Sequence, residues 1–201
     1  MRFVPLIVWL GAVAGGTTYY FATRPARPAP QAVGQPARAS APAGRTEPAP
    51  PNTAIGLPIY GLRASDIQNT FEQTRDGVRQ HEATDILAPR GTPVHAVVDG
   101  VVKKLFLSKP GGLTLYQFDI PEEFSYYYAH LDRYADGVVE GRLLKRGDLL
   151  GYVGSTGNAD PKAPHLHLAI FKLNPDKKWW EGTPVNPYPL LMKALRGESG
   201  L

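Results

Sequence analysis

The run FSYYYAH, residues 124–130, is the stretch of sequence that decides the fold. It is dense in aromatic residues, which favour β-strands. Similar short runs lie around it, at residues 93–98, 101–107, 113–118, 149–153 and 166–172, with turn residues such as Asp99-Gly100 between them. Because turn signals are this frequent and no long helical pattern separates the runs, the sequence predicts a mainly β protein with a compact antiparallel β domain.

Two short helices are expected beside these strands. The stretch Ser65-Asp66-Ile67-Gln68 fits a capping box, in which Ser65 caps the start of a helix and Gln68 follows three residues later. We expect that helix to end near Gly77. A second short helix is expected near residues 190–195.

The N-terminal part of the chain has the composition of an anchor followed by a linker. Residues 3–22 are predominantly apolar and carry no charge, and a transmembrane helix needs about 20 such residues. The sequence therefore predicts a single membrane segment within residues 1–22. A cleaved signal peptide is the alternative, with Ala12-Val13-Ala14 as its processing site. Residues 23–56 are rich in Pro, Ala and Arg, which predicts a disordered linker before a folded domain at 57–201.

Charge and cysteine content narrow the possible partners and sites. The formal net charge is +4, without a basic helix or a run of lysine and arginine, so we interpret it as ordinary surface charge plus a basic linker. We expect no nucleic-acid partner. The chain has no cysteine, which excludes disulfides and metal sites built from thiolates.

Four of the five histidines fall in three places that suit metal chemistry. His81 stands four residues before Asp85, and both residue types are good zinc ligands. His165 and His167 lie two apart in a predicted strand, so both imidazoles point to one face. His130 ends the tyrosine run, and alternation places it on the face of Tyr126 and Tyr128, with Tyr127 on the other.

Together these residues are sufficient for a catalytic zinc site. Such a site needs three protein ligands and one open position for water. Four histidines and one aspartate leave two histidines over for proton transfer or for stabilising a developing charge. His95 alternates with Val94 and Ala96, and we interpret it as a structural or surface residue.

The three places occur in the order of the H-x-x-x-D, Y-A-H-L and H-x-H motifs of the lysostaphin/LytM-type zinc metallopeptidases, and the chain resembles that family over residues 79–189. The resemblance implies that His81, Asp85 and His167 hold Zn²⁺ and that His130 and His165 are catalytic. It also implies a groove across the sheet that contains the site. Many members have glycine where this chain has Ala83.

The function implied by the resemblance is zinc-dependent hydrolysis of the peptide cross-links of bacterial peptidoglycan by an endopeptidase. Peptidoglycan peptides are then the substrate, and the inner membrane is a partner through the N-terminal segment. The catalytic domain is expected in the periplasm or extracytoplasmic space of the cell envelope. Two alternatives remain open: a non-catalytic cell-wall binding module or activator of another cell-wall hydrolase, and a peptidase that acts on a protein substrate.

Overall fold

The structure is a computed structural model that describes residues 51, 54–75, 77 and 79–198. The predicted membrane segment lies outside these residues, and so does the predicted linker apart from residues 51 and 54–56. Within the described part of the chain, no helix has the length and apolar character needed to cross a membrane. The described residues of the linker's end already contact the domain, since Gly56 N donates to Val97 O at 2.6 Å.

The centre of the fold is a ten-stranded antiparallel sheet, which confirms the mainly β prediction. The strand bounds are Ile67–Gln68 (β1), Thr74–Arg75 (β2), Arg79–Gln80 (β3), Thr84–Leu87 (β4), Pro93–His95 (β5), Gly100–Ser108 (β6), Gly112–Asp119 (β7), Phe124–Tyr134 (β8), Leu143–Leu144 (β9), Leu149–Val153 (β10), His165–Leu173 (β11) and Gly182–Val185 (β12). In the large sheet the strands run in the order β1-β4-β11-β8-β7-β6-β9; β10 pairs with β5 and β8, and β12 pairs with β11. A separate hairpin joins β2 to β3.

The prediction of a helix that starts at Ser65 is wrong. The structure has a 3-10 turn at Ala64–Asp66, after which Ile67 pairs with Ile86 in the sheet. The carboxylate of Asp66 accepts hydrogen bonds from the backbone and side chain of Arg63, which closes the chain into a tight turn. Because Ile67 is buried in the core, packing outweighs the local capping signal.

The second helix is confirmed with an earlier start, as α1 at Pro187–Leu195. The side chain of Asn186 accepts a hydrogen bond from Tyr188 N at 3.0 Å and so caps the helix. Proline at the first helical position suits this start, because its missing N–H would have no partner there. Leu191 is fully buried, and it anchors α1 in the core.

The two faces of the sheet have different characters. One face packs the main core, in which Leu168 lies beside Tyr128 across β11 and β8. The hydroxyl of Tyr128 accepts from Val97 N at 3.0 Å and donates to Gln117 Oε1 at 2.8 Å, so this core includes a buried polar network. The other face has a smaller apolar cluster, Ala83, Ala169 and Phe171, with Tyr127 packed against it.

Candidate metal and catalytic site

The residues expected to bind the metal lie together on this second face. Asp85 of β4 and His167 of β11 are paired in register, so their side chains project to the same side. His81 comes just before β4, held by a hydrogen bond from its N–H to Gln73 O at 2.9 Å. The three side chains bring one donor atom each to within 4.8 Å of the others.

The three donor atoms form a nearly equilateral triangle. His81 Nε2 lies 3.0 Å from His167 Nδ1 and 3.2 Å from Asp85 Oδ1, and the last two atoms are 3.1 Å apart. Tetrahedral zinc with ligands at about 2.0–2.1 Å places its donors roughly 3.3 Å apart. The triangle therefore fits one face of a zinc tetrahedron, and its fourth corner is left for water or substrate.

The lone pair of His81 is directed to this triangle by a backbone contact. Its Nδ1 lies 3.1 Å from Thr70 O, a carbonyl that can only accept, so Nδ1 donates and Nε2 keeps its lone pair. The hydroxyl of Thr70 donates to Ala83 O and accepts from Asp85 N, both at 3.2 Å. Thr70 therefore links both ends of the H-x-x-x-D motif, a supporting role typical of groups around a metal site.

The charges at the site favour metal binding near neutral pH. Burial acts to raise the pKa of the Asp85 carboxyl, but hydrogen bonds from His167 and His81 outweigh it and hold that pKa well below its usual range. Burial lowers the pKa of His167. Burial, with His167 nearby, also lowers the pKa of His130 to about 4. Asp85 is thus ionised and His167 neutral, the states in which they bind metals, and the neighbouring His130 is neutral as well.

His130 reaches the site by breaking the strand alternation. Its backbone has φ +59°, a conformation that residues other than glycine seldom adopt. The β7–β8 register shifts between Leu113, which pairs with Leu131, and Leu115, which pairs with Tyr128. This bulge turns the His130 ring to within 5.6 Å of the His167 ring.

The prediction that His130 shares a strand face with Tyr126 and Tyr128 is therefore wrong, although the tyrosines themselves alternate as predicted. Tyr126 and Tyr128 are fully buried in the main core, on the face opposite the site. Tyr127 is the tyrosine beside the site, with its ring 5.9 Å from that of His167. Alternation fails because it assumes a regular strand, and the bulge at His130 adds a residue to β8.

His165 completes the group of five predicted residues. Its ring lies 4.9 Å from that of His130, and its Nε2 is 3.9 Å from Asp85 Oδ1. Its Nδ1 lies 2.8 Å from Ala163 O and so donates to that carbonyl, which leaves Nε2 as an acceptor. His95 stands outside the group that can hold a metal among the described residues, and its ring packs on Tyr60 at 4.2 Å.

A row of aromatic rings, which the sequence patterns did not predict, continues from the site. From Tyr127 it passes to Tyr116 at 4.5 Å and on to Trp179 at 4.7 Å, and Trp179 also contacts Phe106 and Trp180. Both tryptophans come from the turn between β11 and β12 and are half-buried. The two adjacent tryptophans that follow the predicted strand at 166–172 were the signal available in the sequence.

An antiparallel β domain with two histidines and an aspartate around one metal position, and two further imidazoles beside it, has the arrangement of a zinc hydrolase. The profile of Peptidase family M23 matches residues 79–187, more than half of the chain. The chain belongs to that family.

Individual relatives agree with this assignment. The chain is 36% identical over 127 residues to an L-Ala–D-Glu endopeptidase of Bacillus subtilis, covering 61% of this chain and 37% of the relative. It is 37% identical over 92 residues to the peptidoglycan DD-endopeptidase ShyC of Vibrio cholerae, covering 45% of this chain and 20% of the relative. The chain thus spans well under half the length of these two proteins.

Among solved structures, lysostaphin from Staphylococcus simulans superposes with a TM-score of 0.52 at 25% identity. The match covers 74% of this chain and 53% of that chain. The fold expected from the lysostaphin-type motifs is therefore present.

Proposed function

We propose that the protein is a zinc-dependent endopeptidase that hydrolyses the peptide cross-links of bacterial peptidoglycan. The observation that supports this most strongly is the triangle of donor atoms from His81, Asp85 and His167, with His130 and His165 beside it. The names of the relatives agree, since ShyC is a peptidoglycan DD-endopeptidase and the Bacillus subtilis protein an L-Ala–D-Glu endopeptidase.

In this proposal His81, Asp85 and His167 hold Zn²⁺. When bound, zinc supplies a Lewis acid and lowers the pKa of its water towards about 7. His130 and His165 have the same tautomer, with Nδ1 donating to the carbonyls of Thr156 and Ala163 respectively. Each therefore presents an acceptor Nε2, so either can take the proton of the attacking water.

The second imidazole has a different requirement. An Nε2 without a proton cannot donate to the oxygen that gains negative charge in the transition state. The histidine that stabilises this oxygen must therefore carry a second proton when the charge develops. In the proposal, the Nε2 of one imidazole therefore accepts the proton of the water, and the Nε2 of the other carries a proton by the time the charge has developed.

We also propose that residues 1–22 anchor the protein in the inner membrane and that the domain acts in the extracytoplasmic space. The uncharged segment at 3–22 and the proline-rich stretch after it support this arrangement. Membrane fractionation should recover the full-length chain in the pellet. Soluble protein that starts near residue 23 would show instead that the segment is a cleaved signal peptide.

The test of the proposed activity is digestion of purified sacculi with the full-length, zinc-loaded protein, followed by mass spectrometry. Cross-linked muropeptides should decrease, and fragments that result from addition of water across one peptide bond should appear. A matched His165→Ala protein should not release them. If the wild-type protein leaves sacculi intact but activates a partner amidase, the alternative of a non-catalytic activator holds. Cleavage of a denatured protein with intact sacculi would favour a protein substrate.

A further inference from the structure

Two loops hold His130 in its bulged conformation. Residues 109–111 connect β6 to β7, whose first residue is Gly112, and residues 155–158 follow β10. They meet backbone to backbone, since Asn158 N donates to Pro110 O at 3.0 Å. A Cβ added at Gly157 would lie 2.3 Å from Gly112 N, so no larger residue fits at that crossing. The loops therefore act as one rigid clamp beside the bulge.

Thr156 connects this clamp to both strands that flank the bulge. Its hydroxyl donates to Leu131 O at 2.8 Å and accepts from Leu113 N at 2.9 Å. Leu113 and Leu131 are the register pair immediately beyond the shift. A single hydroxyl thus satisfies a donor of β7 and an acceptor of β8 where the ladder is interrupted.

The backbone of Thr156 acts on the ring of His130 directly. Thr156 O accepts a hydrogen bond from His130 Nδ1 at 2.8 Å, while His130 N donates to Gly111 O at 2.9 Å. A carbonyl can only accept, so this contact fixes the proton on Nδ1 and the lone pair on Nε2. The residue that ties the strands together is therefore also the residue that sets the tautomer of the imidazole.

We propose that Thr156 is a positioning residue, whose hydroxyl fixes the bulge and thereby holds the carbonyl that orients His130 and selects its Nδ1–H tautomer. The kinetic part of this inference rests on the proposed hydrolase function, and the structural part does not. Positive φ in a residue other than glycine is strained, so it persists only where surrounding contacts impose it. Thr156 supplies such contacts to the His130 ring, to Leu131 after it and to Leu113 on the paired strand.

The test compares three substitutions in the full-length protein. Thr156→Val keeps the shape of the side chain and removes its hydroxyl, and Thr156→Ser keeps the hydroxyl and removes the methyl group. Thr114→Val is the control, because the hydroxyl of Thr114 also donates to a backbone carbonyl, Phe106 O, at 2.9 Å. Its hydroxyl bond does not involve His130.

Imidazole ¹H–¹⁵N NMR of the zinc-loaded protein reports the tautomer without any turnover, with the His130 signals assigned by their loss in His130→Ala. Wild type, Thr156→Ser and Thr114→Val should show a protonated Nδ1 and an unprotonated Nε2. Thr156→Val should lose that single tautomer while it retains bound zinc. In turnover, Thr156→Val should lower kcat by about 10–100-fold with little change in KM, and Thr156→Ser should stay within about threefold of wild type.

Each outcome decides the inference. Wild-type His130 with its proton on Nε2 overturns it, even if Thr156→Val does not fold. Thr156→Val with wild-type tautomer and kcat overturns it, and so does Thr156→Ser that is as impaired as Thr156→Val. If the wild-type protein hydrolyses nothing, the proposed function fails, but the NMR comparison still tests the positioning role.

Discussion

Replacing Tyr128 with phenylalanine should destabilise the fold far more than the same replacement at Tyr126. Both tyrosines are fully buried, lie on β8 and face the main core. The hydroxyl of Tyr128 has two partners, Val97 N and Gln117 Oε1. The hydroxyl of Tyr126 has no hydrogen-bond partner within the part of the chain that the structure describes. Comparing Tyr128→Phe with Tyr126→Phe therefore isolates the contribution of the buried hydrogen-bond network to the free energy of unfolding.

The magnitude follows from the groups left behind. Tyr128→Phe leaves a backbone N–H and an amide oxygen without this partner, and Val97 and Gln117 are both fully buried. Each such group costs about 1–3 kcal/mol, so the loss should be roughly 2–6 kcal/mol in the free energy of unfolding. Tyr126→Phe removes a hydroxyl whose burial is itself unfavourable, so it should be neutral or stabilising by up to about 1 kcal/mol.

Urea unfolding at one fixed zinc concentration measures both values, because bound metal adds to stability by mass action. The midpoint should fall clearly for Tyr128→Phe and stay near wild type for Tyr126→Phe. Equal losses in the two variants would refute the argument, since ring packing rather than the hydrogen-bond network would then set the cost.

Three further outcomes follow from the site. Exhaustive chelation should abolish hydrolysis and added Zn²⁺ should restore it; activity that persists after confirmed metal removal would contradict the zinc mechanism. Lowering the pH should release zinc, because protonation removes the imidazole lone pair. Since burial lowers the pKa of His167, that release should occur below the ordinary imidazole pKa of about 6.5, as equilibrium dialysis would show. Trp179→Ala should raise KM for sacculi several-fold with zinc content unchanged, because it removes the far end of an aromatic row that we expect to contact the substrate. An unchanged KM would show that the row only packs the sheet.

Strand periodicity predicted the parts of the site that depend on regular backbone. His165 and His167 lie two residues apart on β11, and both reach the neighbourhood of Asp85. The six predicted strand runs all fall in the sheet, although the first stops at His95 rather than at residue 98. Val97 leaves the ladder because its N–H is bound by the Tyr128 hydroxyl and its carbonyl by Gly56 N.

The features of the fold and site that were not predicted depend on tertiary contacts, which the local sequence does not show. The side of the sheet on which His130 lies is set by a bulge that distant residues hold in place. The backbone of His130 donates to Gly111 O, 19 residues earlier, and its ring donates to Thr156 O, 26 residues later. The aromatic row joins β7, β8 and the turn after β11 through tertiary contacts alone. The capping signal at Ser65 was outweighed by the burial of Ile67.

The proposed site assigns different roles to the two imidazoles on one face of β11: His167 binds zinc with His81 and Asp85, while His165 belongs to the pair with His130 in which one imidazole takes the proton of the water and the other stabilises the developing charge. The most direct test measures bound zinc per chain together with the rate of cross-link cleavage for His165→Ala and His167→Ala, with His95→Ala as control. His167→Ala should lose zinc and activity. His165→Ala should keep zinc and lose about 10²–10⁴-fold in rate. Loss of zinc from His165→Ala with zinc retained in His167→Ala would contradict the assignment, and full activity in both would place the catalytic site elsewhere.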